Sequence, residues 1–427
     1  MVPADERLGE DLARLTRDAS LTRGLGRSYG DASLPPPDEP VVANSRLADR
    51  LVAFDDATGL LTAEAGLSLF ELNRIFWPRG WASPVSPGTQ YVTLGGMVAA
   101  DVHGKNHHRV GTIGAHVTGL RMRLADGSIV DCSRSVEPDL FRATLGGMGL
   151  TGHILEATIR LRRIGTSWIV SWSRRFEDLL ELTRALTAAA GEWPLTAAWV
   201  DGLGARPRGI LLCGRWAEKS EVDAPAPDPR KPRLDVPFEA PSWLLSGTAV
   251  RLFNRAHWGW HGDRERQRIA HPAAFYYPLD GVGHWNRLYG RRGMTQHQSV
   301  LPTAAGPEAV VEFMTRVRAL NGRPFLIVLK DFGAEGDGVL SFPRPGFTLA
   351  LDFPVDAETQ RLVDGLNEFV IAAGGRVYLA KDAFTRAEHF RKMEGERLVE
   401  FQSLRDRLDP QRLLRSRLSI RLMGDPA

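Results

Sequence analysis

Lysine is scarce in this chain of 427 residues: only six of its 54 basic residues are lysine and the rest are arginine. That scarcity makes the place of each lysine informative. Cysteine is scarcer still. Cys132 and Cys213 lie far apart and share no metal-ligand spacing, which excludes a disulfide framework and leaves two buried thiols as the expectation. No apolar run reaches the roughly 20 residues that span a bilayer. The opening MVPADERLGED is acidic and polar where a signal peptide would be basic and then apolar. A cytoplasmic protein is therefore expected. Net charge is only +3, and the arginines are scattered rather than gathered into a stripe, which argues against nucleic acid as a partner. Hydrophobic content of 43% with 25% charge predicts a soluble globular protein, and the length predicts two domains.

What is present is patterned. Residues 120–130 alternate apolar and polar side chains and turn at Asp126-Gly127, and ILEATIRLRRI at 154–164 alternates again, so the first ~160 residues read as a mixed sheet-and-helix domain. The stretch 220–241 is rich in proline and charge and predicts an exposed, disordered insertion. From Thr295 to Lys381 the order is strand, helix, strand, strand, helix, strand, the split β-α-β-β-α-β pattern. Its halves end alike, in Lys330-Asp331-Phe332 and in Lys381-Asp382-Ala383-Phe384, which predicts both lysines at one end of an antiparallel sheet, near where the strand beginning at Phe347 enters. The segment 241–261 is apolar and carries Trp243, Trp258 and Trp260, as a core or lid helix would, or as a lip meeting lipid would. The remaining C-terminal residues are amphipathic and need something to pack against. The fold class is α+β.

Three glycine-rich turns, RGLGRSYGD (23–31), SPGTQYVTLGGMVAADVHG (86–104) and GGMGLTG (146–152), bear the chemistry. The last matches G-x-G-x-x-G, but a helix-like stretch precedes it and a strand follows, the reverse of what a dinucleotide fold needs. The alternative is a set of loops whose backbone N–H groups wrap one extended anion, with Thr93 capping a short helix that opens at Gly95-Gly96 and offers free amides to phosphate.

These loops resemble the flavin-binding half of the vanillyl-alcohol oxidase superfamily. Together with FYYPLDGVGHWNRLYG, SFPRPGFTLALDFP, GGRVYLAKD and LDPQRLL, they resemble its branch that oxidises the 2'-hydroxyl of polyprenylphosphoryl ribose. The resemblance implies a PCMH-type FAD domain built from residues 1–163 and 376–427, around a substrate domain of residues 164–375. It implies FAD contacts from Arg23, Gly24, Leu25, Gly26, Arg27, Ser28 and Tyr29 in the first loop. The second loop would add Pro87, Gly88, Thr89, Thr93, Gly95, Gly96, Asp101, Gly104, Asn106 and His107, and Gly149, Gly152, Ile154 and Tyr378 would complete the site. Arg27 stands where many relatives carry a flavin-linking histidine, so FAD should be held without a covalent bond. An alcohol oxidase needs a proton acceptor beside the carbinol, and His103 and Lys381 are the candidates, Lys381 as the end of the last strand. Lys105, Gln296, Gln298, Lys330, Phe332 and Thr348 fall on the substrate side. His103, His107 and His108 lack the carboxylate of a metal motif, and no metal is expected. The resemblance implies a polyprenyl-phosphate sugar as substrate, a separate reductase completing an epimerisation, and contact with a membrane surface. Open alternatives are an oxidase of a soluble alditol, aldonolactone or natural-product sugar, and a flavin-fold protein that only binds.

Overall fold

The structure, a computed structural model, describes residues 5–38, 41–204, 206–229, 232, 234–241, 247–261 and 265–426. Three short parallel strands, β1 (Asp5–Leu8), β2 (Leu21–Arg23) and β3 (Val41–Asn44), form a small sheet, and the first glycine turn lies between β2 and β3. A five-stranded antiparallel sheet follows, formed by β4 (Leu51–Asp55), β5 (Leu60–Glu64), β6 (Val117–Arg123), β7 (Ile129–Cys132) and β8 (His153–Arg160), in the order β4-β5-β8-β6-β7. The alternation at 120–130 is the β6–β7 hairpin, closed at Gly127 with φ +86. Its apolar face, with Leu61, Leu120, Met122 and Ile159, buries against Leu94, Met97 and Val98 of helix α1 (Leu94–Ala99). Both cysteines are buried free thiols, their pKa pushed up to about 12 by burial.

The larger sheet has eight strands: β9 (Ile169–Phe176), β10 (Leu195–Asp201), β11 (Arg208–Trp216), β12 (Arg266–Ala270), β13 (Met294–Pro302), β14 (Ile327–Phe332), β15 (Gly346–Pro354) and β16 (Arg376–Val377). Their order is β12-β9-β11-β10-β14-β15-β13-β16, antiparallel throughout. The split pattern expected after Thr295 forms, with helices α4 (Glu308–Ala319) and α5 (Thr359–Ala372). Residues 169–270 repeat the same strand order around α2 (Leu179–Glu192) and α3 (Gly247–His261), and the two units join where Trp199 of β10 pairs with Val328 of β14. Leu211, Cys213, Leu329, Leu349 and Leu351 form one face of this sheet and bury under α2, α4 and α5. The other face carries Trp199, Lys330, Thr348 and Gln298. Its β9–β11–β10 half receives Trp258 of α3, and its β14–β15–β13 half meets the glycine turns.

Two expectations are corrected here. The last strand is short: β16 ends at Val377, still bonded to β13, and Lys381 lies in the 3-10 turn Leu379–Lys381. Tyr378 N donates to Gln298 O and Lys381 N to Tyr378 O, which curls the chain out of the sheet. The two lysines also do not share one end. Lys330 pairs with Thr348 near the start of β15, whereas β16 runs antiparallel to β13 and so leads Lys381 toward the opposite end of the sheet, where β15 finishes. The 220–241 segment is tethered by the pairing of Leu234–Asp235 with Val282–Gly283 and by Arg215–Glu221; residues 230, 231 and 233 of it, and Trp243, lie outside the described residues. The C-terminal helices pack back on the first half, with Phe401 and Leu404 against Leu150 and Leu340, and Leu418 and Leu422 against Ala32 and Leu379. No helix among the described residues is long and apolar enough to cross a membrane.

Candidate flavin and substrate site

Helix α1 is the meeting point of the three turns. Thr93 caps it through Gly96 N, as expected. Gly24 of the first turn lies against Thr93 so closely that a Cβ there would overlap its side chain. At the other end of the helix, Gly146 N and Met148 N of the third turn donate to Val98 O and Ala99 O, at 3.2 and 2.8 Å. Six helical residues span about 9 Å, so the bends stand a short diphosphate-and-ribose distance apart.

The helix start itself does not offer the free amides expected of it. Leu94 N donates to Leu67 O and Gly95 N to Ala65 O, both at 2.8 Å, because the segment after β5 runs beside the helix and takes them. Among the described residues the amides of Leu25 to Ser28, Gly88 and Gly149 have no hydrogen-bond partner. A Cβ at Gly88 or Gly149 would meet nothing within 4 Å. The unpartnered amides, the kind of donors an anion takes, thus lie on the bends rather than at the helix terminus. Arg23 binds Ser33 O, Gly152 (φ +153) closes against β6, and Ile154 is buried in the core beneath. Thr89 accepts from Tyr91 N, and Asp280 accepts from Gln90 N, which pins the loop that begins at Pro87. Arg27 is exposed and donates to Tyr91 O.

Asp101 is corrected in role. It is fully buried with φ +39, accepts from Gly114 N at 2.9 Å and from Ser341 Oγ, and so braces the two halves instead of facing the open amides. Gly104 is pressed between Asn106 and Ser86, and Asn106 donates to Pro84 O while its Oδ1 is unpartnered among the described residues.

His103 occupies the junction between the turns and the sheet. Its ring lies 4.7 Å from Phe332, 5.8 Å from Phe342 and 5.2 Å from Tyr378, which in turn donates to Ala100 O. Nδ1 is 3.2 Å from Lys330 Nζ, and Nε2 is 3.1 Å from the Gln298 amide, which also reaches Thr348 Oγ1. Burial first, then Lys330, His107 and Lys381, hold the His103 pKa well below its ordinary value, so the ring is neutral. Burial lowers Lys330 to about 7, helped by Lys105 and Lys381. With Lys330 as ammonium, Nδ1 accepts and Nε2–H needs the Gln298 amide turned to present its oxygen; with Lys330 as amine, Nδ1–H donates and Nε2 accepts from the Gln298 amide N–H. The pair can therefore pass a proton between two atoms near neutral pH.

Lys381 is lowered to about 8 by burial, with Asp352 opposing, and its ammonium lies 3.5 Å over the Tyr29 ring centre. Lys105 is turned aside: its Nζ donates to Tyr276 O at 3.0 Å beneath two aromatic rings. His107 Nδ1 accepts from Gly333 N, its Nε2 is unpartnered among the described residues, and its ring meets Phe332 at 4.5 Å. Among those residues no group of three or more His, Cys, Asp or Glu is placed to hold a metal ion.

Several participants were missed in the sequence. Asp352 is buried, accepts from Gln296 Nε2, and is raised by burial to about 6. The alternation Thr348, Ala350, Asp352 in FTLALDFP puts it on the open face and could have found it. Arg421 has no such signal. From the last helix it binds Asp31 at 2.7 Å, Asp382 at 2.9 Å and Thr385 O, and so clips the end of the first turn to the residue after Lys381.

The site fits FAD: unpartnered amides and unfilled space at Gly88 and Gly149 could receive its diphosphate, and the neutral His103 imidazole and the Lys381 ammonium lie at the junction between the turns and the sheet. A family model described as an FAD binding domain matches residues 10–133. The chain is 34% identical to the decaprenylphosphoryl-beta-D-ribose oxidase of Mycolicibacterium smegmatis over 94% of its length and 88% of that protein. It is 35% identical to an uncharacterized protein of Streptomyces coelicolor over 83% of its length and all of that protein. A D-2-hydroxyglutarate dehydrogenase of Rattus norvegicus shares 32% identity over 30% of this chain and 25% of its own. With full-length similarity of that order, and with unpartnered amides on the three turns and a two-part vanillyl-alcohol-oxidase-like architecture behind it, the chain belongs to the decaprenylphosphoryl-β-D-ribose oxidase family of FAD-dependent oxidoreductases.

Proposed function

We propose that the chain oxidises the 2'-hydroxyl of a polyprenylphosphoryl-β-D-ribofuranose to the 2'-keto sugar. The observation that carries this reading is the open face of the larger sheet, which sets Gln296, Gln298, Lys330 and Thr348 against His103 and Lys381. FAD, held by the open amides of Leu25 to Ser28, Gly88 and Gly149, would supply the hydride acceptor for the carbinol carbon. His103 takes the hydroxyl proton as a neutral imidazole and can relay it to Lys330. Gln296, Gln298 and Thr348 orient the sugar, and the Lys381 cation stabilises negative charge that builds beside it. Residues 1–163 and 376–427 hold FAD and residues 164–375 hold the sugar. Arg27 cannot form a flavin bond, so acid should release FAD intact. The keto sugar is a substrate for a separate reductase, which would complete an epimerisation. A substrate deuterated at C2' should be turned over more slowly than one deuterated at C3'; equal rates would place the oxidation elsewhere.

The pH dependence follows from Lys381. Its folded pKa of about 8 means the cation is present below that pH and lost as pH rises through it. The rate of flavin reduction, followed by stopped flow, should fall above pH ~8, and Lys381→Arg should remove that limb because arginine stays protonated. A limb that survives in the arginine variant would belong to another group.

Contact with a membrane surface rests on α3. Val250, Asn254 and Trp258 face inward, while Leu252 and Trp260 are 69% and 78% exposed, with the exposed Arg251 and Arg255 beside them. Such a ridge suits the interface of an anionic bilayer. Vesicles rich in anionic lipid should sediment the protein, and Trp260→Ala should release a large part of it; sedimentation unchanged by that substitution would remove α3 as the contact.

A further inference from the structure

A row of aromatic rings leads from Lys381 to the surface. Beneath the Lys381 ammonium lies Tyr29; the Tyr29 ring is 6.1 Å from Trp285, Trp285 is 6.3 Å from Tyr289, Tyr289 is 6.1 Å from Phe325, and Phe325 is 5.5 Å from Phe253 on α3. None of these five rings belongs to the hydrophobic cores of either half. Tyr29, Trp285 and Phe325 are half-buried, Phe253 is 49% exposed, and Tyr289 between them is buried. Along β14 the alternation agrees: Ile327 and Leu329 are buried under the helices, whereas Val328, on the face that carries Lys330, is only half-buried. The half-buried rings on either side of Tyr289 join a cation to an exposed apolar ridge and keep surface to offer a ligand. The Lys381 cation stands at the inner end of the row, Asp352 acts on both Lys381 and Tyr289, and the exposed Arg251 and Arg255 flank the outer end.

We propose that this row is the binding track for the hydrocarbon chain of a lipid-linked substrate. The phosphoryl-sugar head lies at the Lys381 end, the chain lies along Trp285, Tyr289 and Phe325, and its far end emerges beside Phe253 at the face that α3 turns to lipid. This rests on the lipid-linked substrate proposed above and adds where the chain runs and which residues read its length. The Lys381 cation at the inner end suits the phosphoryl group, and the apolar stretch that leads from it to the surface suits a long alkyl chain rather than a soluble sugar.

The test uses the FAD-loaded protein with hexyl and dodecyl phosphate below their micellar range, so that it does not depend on turnover. Affinity should rise steeply with chain length, by about three- to fourfold for each methylene that finds the track. Phe325→Ala and the more exposed Phe253→Ala should each weaken dodecyl phosphate by up to about tenfold and hexyl phosphate little, without altering flavin content. A dodecyl phosphate brominated on its fourth carbon should quench tryptophan fluorescence, and Trp285→Phe should remove most of that quenching. Affinity independent of chain length, equal losses for both phosphates, or quenching unchanged in Trp285→Phe would each overturn the track. If chain-length dependence holds while polyprenylphosphoryl ribose never reduces the flavin, the proposed reaction fails and the track stands.

Discussion

His103→Gln should yield a yellow, folded protein whose flavin is reduced by substrate about 10²- to 10⁴-fold more slowly, the range that a positioned general base supplies. The ring is neutral because burial and the lysines around it disfavour the imidazolium, so it is ready to accept a proton at working pH. Glutamine keeps a polar group within reach of Gln298 and Lys330 but has no basic atom. The aromatic walls from Phe332, Phe342 and Tyr378 are untouched by the change, so cofactor binding should persist. Stopped-flow reduction under anaerobic conditions reads the step directly. A rate within a fewfold of the parent would move the base away from His103, with Lys381 the next group to test.

Gly30→Ala should damage the protein in a different way, by loosening FAD and disturbing Lys381 together. A Cβ at residue 30 would overlap the carbonyl oxygen of Asp382, a backbone atom that cannot swing aside. Around this contact Tyr29 N donates to Ala380 O at 3.0 Å, and Arg421 joins Asp31 to Asp382. Overpacking of this kind costs about 1–3 kcal/mol. Because the strain falls on the turn that carries the open amides of Leu25 to Ser28, FAD should bind about tenfold to a hundredfold more weakly. Gly191→Ala is the control: a Cβ there meets nothing within 4 Å, in helix α2, and should be neutral or slightly stabilising. Fluorescence titration of the apoprotein with FAD separates the two. Equal affinities would mean that the junction between residues 30 and 382 does not shape FAD binding.

The parts legible in the sequence are those written in local pattern. Alternation marked the β6–β7 hairpin and the second split unit, and the three turns were marked by their glycines. The first split unit was hidden because an irregular 220–241 segment interrupts it and because α3 crosses the face opposite to α2, so no repeated spacing appears. The amides at the start of α1 were misjudged for a tertiary reason: carbonyls of Ala65 and Leu67, some thirty residues upstream, take them. Asp101 sits in a motif that reads as cofactor contact, yet its partner Ser341 is reached only when the two halves close on each other. Lys105 and Lys381 were found by scarcity; scarcity did not say that one points at the Tyr276 carbonyl and the other at the Tyr29 ring.

Anaerobic mixing of the purified protein with polyprenylphosphoryl ribofuranose, watched at the visible flavin band, tests the whole construction at once. The amides left open by Leu25–Ser28, Gly88 and Gly149 should have retained FAD, and the band should bleach as one equivalent of keto sugar appears. A colourless polypeptide that takes up no added FAD, or a bound flavin that stays oxidised in excess substrate, would contradict it.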